Sequence, residues 1–218
     1  NTLTKMALGL MGQLKPQAAT GDADTAIQLR PAQTQGGMSL MQALQLRQSQ
    51  REFEPSALPP QNLSDLLWAA GGINREALGG RTAPSAMNAQ EVDVYVALPA
   101  GLYRYEASAH ALQLVSATDV RRVTGYQDFV DTAPLDLVFV ADHARMKLVP
   151  AAQRESYASA AAGAMAQNVY LYCASAGLAT VIRAWIDRVA LAQAMGLDAD
   201  KQVLLSQTVG WPKAMASP

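Results

Sequence analysis

The sequence is poor in the side chains that build many common sites. Among 218 residues it has one cysteine, Cys173, and two histidines, His110 and His143, which lie far apart. One cysteine excludes an internal disulfide, and the two histidines lack the spacing of a zinc site. The sequence therefore predicts no metal centre, and we expect Cys173, within an apolar helical segment, to be a small buried side chain.

Charge is scarce and nearly balanced. The chain has 17 lysines and arginines and 18 acidic residues, which gives a net charge of -1. No basic run is present, so the sequence does not predict attraction to nucleic acid or to an anionic membrane. The apolar run at 6–11 is too short to span a bilayer, so we expect no membrane insertion. Half of the residues are hydrophobic, enough for the core of a globular domain.

Two arginines, Arg47 and Arg51, flank Ser49 at alternate positions after a predicted helix. In an extended segment the three side chains point to one face. In a helix the two arginines would form a like-charge pair, which is mildly unfavourable unless an anion lies between them. Because a guanidinium group binds two phosphate oxygens at once, both geometries indicate a phosphate site. The alternative is that both arginines are solvated charges at a helix end.

This segment, which continues to Phe53, resembles the flavin-binding motif near the N-terminus of the nitroreductase family. Further segments resemble the family in the same order along the chain, and the resemblance covers about residues 38–213. They are Pro84 to Gln90, Gly163 to Thr180 with Gly177 and Leu178, and Gly210 to Lys213.

The resemblance implies an α+β nitroreductase-like fold, with a central, mostly antiparallel sheet flanked by helices, in an intertwined homodimer. It also implies FMN as the cofactor, at the subunit interface, and NAD(P)H as the reductant. FMN would pass reducing equivalents to a small electron acceptor, such as a nitroaromatic or a quinone, by a ping-pong mechanism. Since the flavin carries the chemistry, no side chain is assigned a catalytic role.

Nine cofactor-binding positions follow from the resemblance: Arg47, Ser49, Arg51, Pro84, Ser85, Asn88, Leu178, Ala179 and Lys213. The basic residues and Ser49 would hold the phosphate, and Pro84, Ser85 and Asn88 would lie along the flavin. Backbone amides of Leu178 and Ala179 would approach its reactive edge, although many family members have glycine at position 179. Ser85 could instead be an ordinary helix cap.

Two other functions stay open at this stage. One is a flavin-dependent dehydrogenase of the same fold that oxidises azoline rings in peptides, although the chain has no visible peptide-binding domain. The other is a protein that binds flavin, or a partner, without turnover. Each would keep the phosphate site and differ in what the bound flavin does.

Residues 1–37 have no sustained hydrophobic period, so we expect an N-terminal arm, leader or linker, followed by a nitroreductase-like FMN-binding domain at 38–218. The segment resembles the polar leader of exported family members, and the chain starts at Asn1 rather than at a methionine, which suggests N-terminal processing. We expect a soluble protein, and both the cytoplasm and the periplasm stay open.

Hydrophobic periodicity predicts helices that start at Ser39 and near Leu63, a long helix at 151–176 and a short one at 189–195. Strands are expected at 92–97, 102–105, 111–114, 135–141, 180–186 and 203–209, and short helices at 118–132. A small-residue face on the long helix predicts either a dimer seam or an intrachain contact. Arg183 has no visible partner, so either an ion pair or edge position, or else an anionic substrate, could explain it.

Overall fold

The computed structural model describes residues 1–213, which form five α-helices and eleven strands. The helices are α1 (Thr2–Leu10), α2 (Leu40–Leu46), α3 (Pro60–Gly71), α4 (Ala151–Ala176) and α5 (Arg188–Met195). The strands are β1 (Gln17–Ala18), β2 (Ala26–Gln28), β3 (Ile73–Arg75), β4 (Gly80–Arg81), β5 (Val92–Leu98), β6 (Gly101–Glu106), β7 (Ala111–Ser116), β8 (Thr118–Asp119), β9 (Leu135–Asp142), β10 (Ala179–Arg183) and β11 (Lys201–Gly210). Within residues 1–213, no helix is both long enough and apolar enough to cross a membrane.

Seven strands form the central sheet, in the order β10-β11-β9-β5-β6-β7-β2, and every neighbouring pair is antiparallel. The strand predicted at 135–141 is β9, which lies inside the sheet between β11 and β5. Short 3₁₀ helices at Arg121–Val123 and Asp128–Asp131 occupy the region where short helices were expected. The α+β class and the antiparallel sheet are therefore confirmed.

Both faces of the sheet are buried at β9, whose side chains alternate between them. Leu137 and Phe139 belong to the core that packs under α3 and α4. Val138 and Val140 belong to a second core that packs under α5. A strand covered on both sides favours apolar residues on both faces, which explains why residues 137–141 are all apolar.

Helix α2 begins as its sequence predicted. The Ser39 side chain accepts a hydrogen bond from the Gln42 amide at 3.3 Å, and the Ser39 amide donates to the Gln42 side chain, also at 3.3 Å. This capping box fixes the start of a helix that buries only Ala43. The remaining apolar side chains form an exposed face: Leu40, Met41, Leu44 and Leu46.

The last predicted strand before α5 is shorter than expected. Pairing between β10 and β11 ends at Arg183, opposite Ser206, rather than continuing to Ile186. Asp187 then caps α5 by accepting a hydrogen bond from the Ala190 amide at 3.0 Å. The apolar residues at 184–186 therefore lie in the connection between β10 and α5.

Residues 1–37 contain regular structure that their composition did not predict. They form α1, β1 and β2, and β2 is the edge strand of the central sheet. Leu14 is buried in the core under α5, and Leu29 in the core under α3 and α4. Lys5 is buried in an ion pair with Asp131; burial lowers the pKa of its ammonium group, and the carboxylate opposes that shift. The segment therefore packs along the domain and contributes to both cores.

We expect the N-terminal segment to contribute strongly to stability. Leu29 is 6% exposed, so Leu29→Ala should lower the free energy of unfolding by about 2–5 kcal/mol, the usual cost of truncating a buried leucine. Leu10 lies in the same segment but is 88% exposed, so Leu10→Ala is the matched control and should change little. Urea unfolding of both variants measures the difference. Equal stability of the two variants would mean that the segment is a dispensable leader.

Candidate functional site

The segment that follows α2 is extended. Arg47 is its first non-helical residue, with φ −55° and ψ 121°. The Gln50 amide donates to the Thr180 carbonyl at 3.0 Å, and Phe53 forms an isolated antiparallel bridge with Pro212. The segment thus lies between the start of β10 and the C-terminal stretch. Of the two geometries considered for Arg47 and Arg51, the structure has the extended one.

This arrangement brings Lys213 to Arg51. The Lys213 amide donates to the Glu52 carbonyl at 3.2 Å, and the Glu54 amide donates to the Trp211 carbonyl at 2.9 Å. Arg51 and Lys213 line one cavity of about 430 Å³, together with Gln48, Gln50, Glu52 and Pro212. We call Arg47, Ser49, Arg51 and Lys213 the cradle. Arg51 and Lys213 line this cavity, and Arg47 and Ser49 lie on the same extended segment as Arg51, where both contact Tyr170.

The charges of the cradle suit an anion. Among the ion pairs of residues 1–213, none includes Arg47, Arg51 or Lys213. Arg51 and Lys213 are exposed, and among residues 1–213 the only carboxylate that lines their cavity is that of Glu52. Like charges held at one cavity repel, so an anion bound there is stabilised by both. The Arg51 guanidinium adds bidentate hydrogen bonding, which fits the oxygens of a phosphate group.

Tyr170, on α4, supports the first half of the cradle. Its ring lies under the Arg47 guanidinium, whose central carbon is 5.1 Å from the ring centre. Its hydroxyl is 2.7 Å from the Ser49 hydroxyl, and it accepts a hydrogen bond from the Ile182 amide at 3.0 Å. Sequence analysis missed this residue. A tyrosine inside an apolar helix carries no local signal of a contact with a segment more than a hundred residues earlier.

Leu178 and Ala179 lie next to the cradle but are engaged within the fold. Gly177 ends α4 with a left-handed φ of 70°, as predicted. The Leu178 amide then donates to the Cys173 carbonyl at 2.9 Å, a hydrogen bond that closes the end of α4. Ala179 is fully buried as the first residue of β10. Cys173 is also fully buried, and burial raises the pKa of its thiol, as expected for an inert core cysteine.

Pro84 and Ser85 lie elsewhere, against an earlier part of α4. They line a small cavity of about 20 Å³ to which α4 contributes Ala161 and Met165. Met165 precedes Tyr170 by five residues, which is about 8 Å along a helix. The structure therefore separates the predicted positions into two groups along α4, the cradle and the Pro84 loop, which we define as residues 84–90.

The Pro84 loop has a strained backbone. Met87, Asn88 and Gln90 have φ angles of 55°, 52° and 49°, in the left-handed region that side chains other than glycine rarely adopt. Ser85 does not cap the following turn; its hydroxyl accepts a hydrogen bond from the Gln90 amide at 2.8 Å and so closes the loop. Strain of this kind is concentrated at ligand-binding segments. Met87 and Asn88 are exposed and available to a ligand or to another chain.

Comparison with known proteins identifies relatives of this chain. The profile of the Nitroreductase family matches residues 44–211. A crystal structure from Ralstonia eutropha that carries the nitroreductase name is 53% identical, with a TM-score of 0.89, and the match covers 93% of this chain and 96% of that one. A relative with the same family name from Methanocaldococcus jannaschii is 32% identical over 145 residues, which cover 62% of this chain and 73% of that protein.

A solved structure of lower identity shares the fold. The NADPH:FMN oxidoreductase of Vibrio harveyi, complexed with NAD⁺, is 19% identical, with a TM-score of 0.57, and the match covers 82% of this chain and 72% of that one. The family profile spans more than half of the chain, and the motifs that carried the resemblance lie within or beside the matched region. The chain belongs to the nitroreductase family.

Proposed function

We propose that this protein is an FMN-dependent oxidoreductase that uses NAD(P)H to reduce a small electron acceptor, such as a nitroaromatic or a quinone. The observation that carries the proposal is the meeting of Arg51 and Lys213 at one cavity, next to the extended segment that also carries Arg47 and Ser49. When bound, FMN supplies the redox chemistry by accepting reducing equivalents from NAD(P)H and passing them to a second molecule. Family membership and the activity named for the Vibrio harveyi protein support this choice.

The chain's own residues hold and orient the cofactor in this proposal. Arg51 and Lys213 neutralise the phosphate, and Ser49 donates a neutral hydrogen bond to it. Pro84, Ser85 and Asn88 bound the flavin from the strained loop, where a hydroxyl and an amide suit a ligand that has both donors and acceptors. One open face would serve reductant and acceptor in turn, so we expect ping-pong kinetics.

The direct test is the visible absorbance spectrum of the purified protein. We expect a yellow protein whose released cofactor is FMN and whose absorbance bleaches on anaerobic addition of NADH or NADPH. A quinone should restore the colour, and initial rates at several acceptor concentrations should give the parallel double-reciprocal lines of ping-pong kinetics. Bound flavin that NAD(P)H does not reduce would favour a flavin-binding protein without turnover. A protein that takes up no flavin would reject the proposal.

We also propose a homodimer, with the flavin at the subunit interface. The small-residue face of α4 has no intrachain partner among the described residues at Gly163, where an added methyl group would meet no atom within 4 Å. Nearby, α2 exposes leucine and methionine side chains. A second copy seated on this surface would bury both faces. Within one chain the cradle and the Pro84 loop are separated. In the dimer, the cradle of one subunit would lie close to the Pro84 loop of the other.

Light scattering tests the dimer. We expect twice the monomer mass at micromolar concentration, and Gly163→Glu should shift the protein towards the monomer because it places a charge within a close helix contact. Val189→Glu is the matched control, since Val189 is exposed but lies on α5, against the other face of the sheet. A wild-type monomer at these concentrations, or the same response to both substitutions, would count against the proposed interface.

A further inference from the structure

The hydrogen bonds of Tyr170 determine which group accepts its hydroxyl proton. Its hydroxyl oxygen accepts from the Ile182 amide at 3.0 Å, because a backbone N–H can only donate. Its second hydrogen-bonding contact within the described chain is Ser49, at 2.7 Å. The tyrosine is 6% exposed, so its own proton has little access to bulk water.

These contacts decide which hydroxyl donates. If Ser49 donated to Tyr170, the buried tyrosine proton would have no acceptor, which is unfavourable. If Tyr170 donates to Ser49, the tyrosine is fully satisfied. The serine is exposed, so its own proton then points away from the tyrosine and remains available to a ligand. The order of donation is therefore from Ile182 to Tyr170, from Tyr170 to Ser49, and from Ser49 outward.

We infer that Tyr170 is a positioning residue for the cradle, which holds Ser49 as a directed hydrogen-bond donor towards the cofactor phosphate. This inference rests on the proposed function and deepens it. The same side chain holds Arg47 through its ring face, at 5.1 Å. One residue of α4 thus orients a neutral donor and a cation at the same anion. Tyr170 need not contact the cofactor, since it acts through Ser49 and Arg47.

The substitution Tyr170→Phe separates these two effects. It removes the hydroxyl and keeps the ring under Arg47. We expect FMN affinity of the apoprotein, followed by quenching of flavin fluorescence, to fall about fivefold, as for the weakening of one hydrogen bond to a charged group. Tyr172→Phe is the matched control. Tyr172 lies two residues further along α4, and its hydroxyl contacts Asn62 at 3.4 Å rather than the cradle, so its loss should leave FMN affinity unchanged.

A purely structural role is distinguished by repeating Tyr170→Phe in a Ser49→Ala background. If Tyr170 acts by directing Ser49, its loss should have almost no further effect once the serine hydroxyl is gone. The same loss of affinity in both backgrounds, or unchanged affinity after Tyr170→Phe alone, would overturn the inference. A wild-type apoprotein that binds no FMN would instead reject the proposed function itself.

A measurement without cofactor tests the hydrogen-bond chain directly. In the apoprotein, the Ile182 amide should exchange with solvent more slowly in wild type than in Tyr170→Phe, because the substitution removes its acceptor. The amide of Val181, the neighbouring residue of β10, should change less and serves as the internal reference. Identical exchange at Ile182 in both proteins would overturn the assigned order of donation.

Discussion

Replacing both Arg47 and Arg51 with alanine is expected to leave a folded protein that no longer retains FMN. Each substitution removes a charge-assisted contact worth about 1.5–3 kcal/mol. Two such contacts correspond to a loss of affinity of roughly 100- to 10,000-fold, since each 1.4 kcal/mol is a factor of ten. The fold should survive because Arg51 is exposed and neither arginine has an ion-pair partner among residues 1–213.

The comparison needs a variant with the same change in net charge. Lys15→Ala with Lys147→Ala removes two exposed cations that lie outside the cradle. Flavin content after purification and fluorescence titration of the apoproteins would be measured for both double variants, with circular dichroism to establish folding. Undiminished FMN affinity in the arginine variant would reject the cradle. An equal loss in the lysine variant would assign the effect to overall charge.

The part of the site that was predictable from sequence is the part built from neighbouring residues. Arg47, Ser49 and Arg51 are separated by single residues, so an extended backbone is enough to place them on one side. Lys213 was placed beside them by resemblance alone. Nothing in its local sequence indicates that the Glu52 carbonyl holds its backbone at 3.2 Å.

The elements of the fold were predictable where the hydrophobic pattern is long. Helix α4, with 26 residues, and β9, with 8, have enough residues for a period to be read. Strands β1 and β2 have 2 and 3 residues, so no period can appear in them. They are strands because β1 pairs with β8 and β2 pairs with β7, and these partners are distant in sequence.

The contacts that sequence reasoning missed are those between distant segments. The hydroxyl of Tyr170 meets Ser49 across 121 positions, and the hydrogen bond from Leu178 to Cys173 depends on how α4 ends. A motif identifies which residues suit a phosphate, but it does not show which side chain orients them. It also does not show which backbone amides are already used by the fold.

Arg183 is another residue whose partner is distant in sequence, and the structure shows that partner. Its guanidinium is 2.8 Å from the Asp136 carboxylate on the central strand β9, and it also contacts the Thr208 hydroxyl. Arg183 is 6% exposed and Asp136 is fully buried, so this is an interior ion pair rather than a surface for an anionic substrate. The two residues are 47 positions apart, which is why the sequence showed no partner.

The ion pair also adjoins the cradle through aromatic packing. The Arg183 guanidinium carbon is 5.3 Å from the centre of the Phe129 ring, and that ring centre is 5.3 Å from the centre of Phe53. Phe53 follows Arg51 by two residues and pairs with Pro212. Loss of the buried charge should therefore destabilise the domain and loosen the segment that carries the cradle.

We expect Arg183→Met to lower the free energy of unfolding by about 3–5 kcal/mol, because it leaves the buried Asp136 carboxylate without its cation. The cost comes from the unpaired charge rather than from the lost arginine. Combining Arg183→Met with Asp136→Leu should therefore recover much of the stability, since a buried ion pair can often be replaced by apolar side chains of similar volume. Urea unfolding of the wild type, the single variants and the double variant gives all the required values.

The double variant separates the two explanations that the sequence left open for Arg183. If the residue served an anionic substrate, Arg183→Met would leave stability unchanged and lower the affinity for anionic acceptors. If it balances Asp136, the two substitutions will be strongly non-additive, because each single variant leaves one buried charge and the double variant leaves none. Additive losses of stability in the double variant would contradict the ion-pair explanation. Because both groups are buried, we expect the double variant to be more stable than additivity predicts.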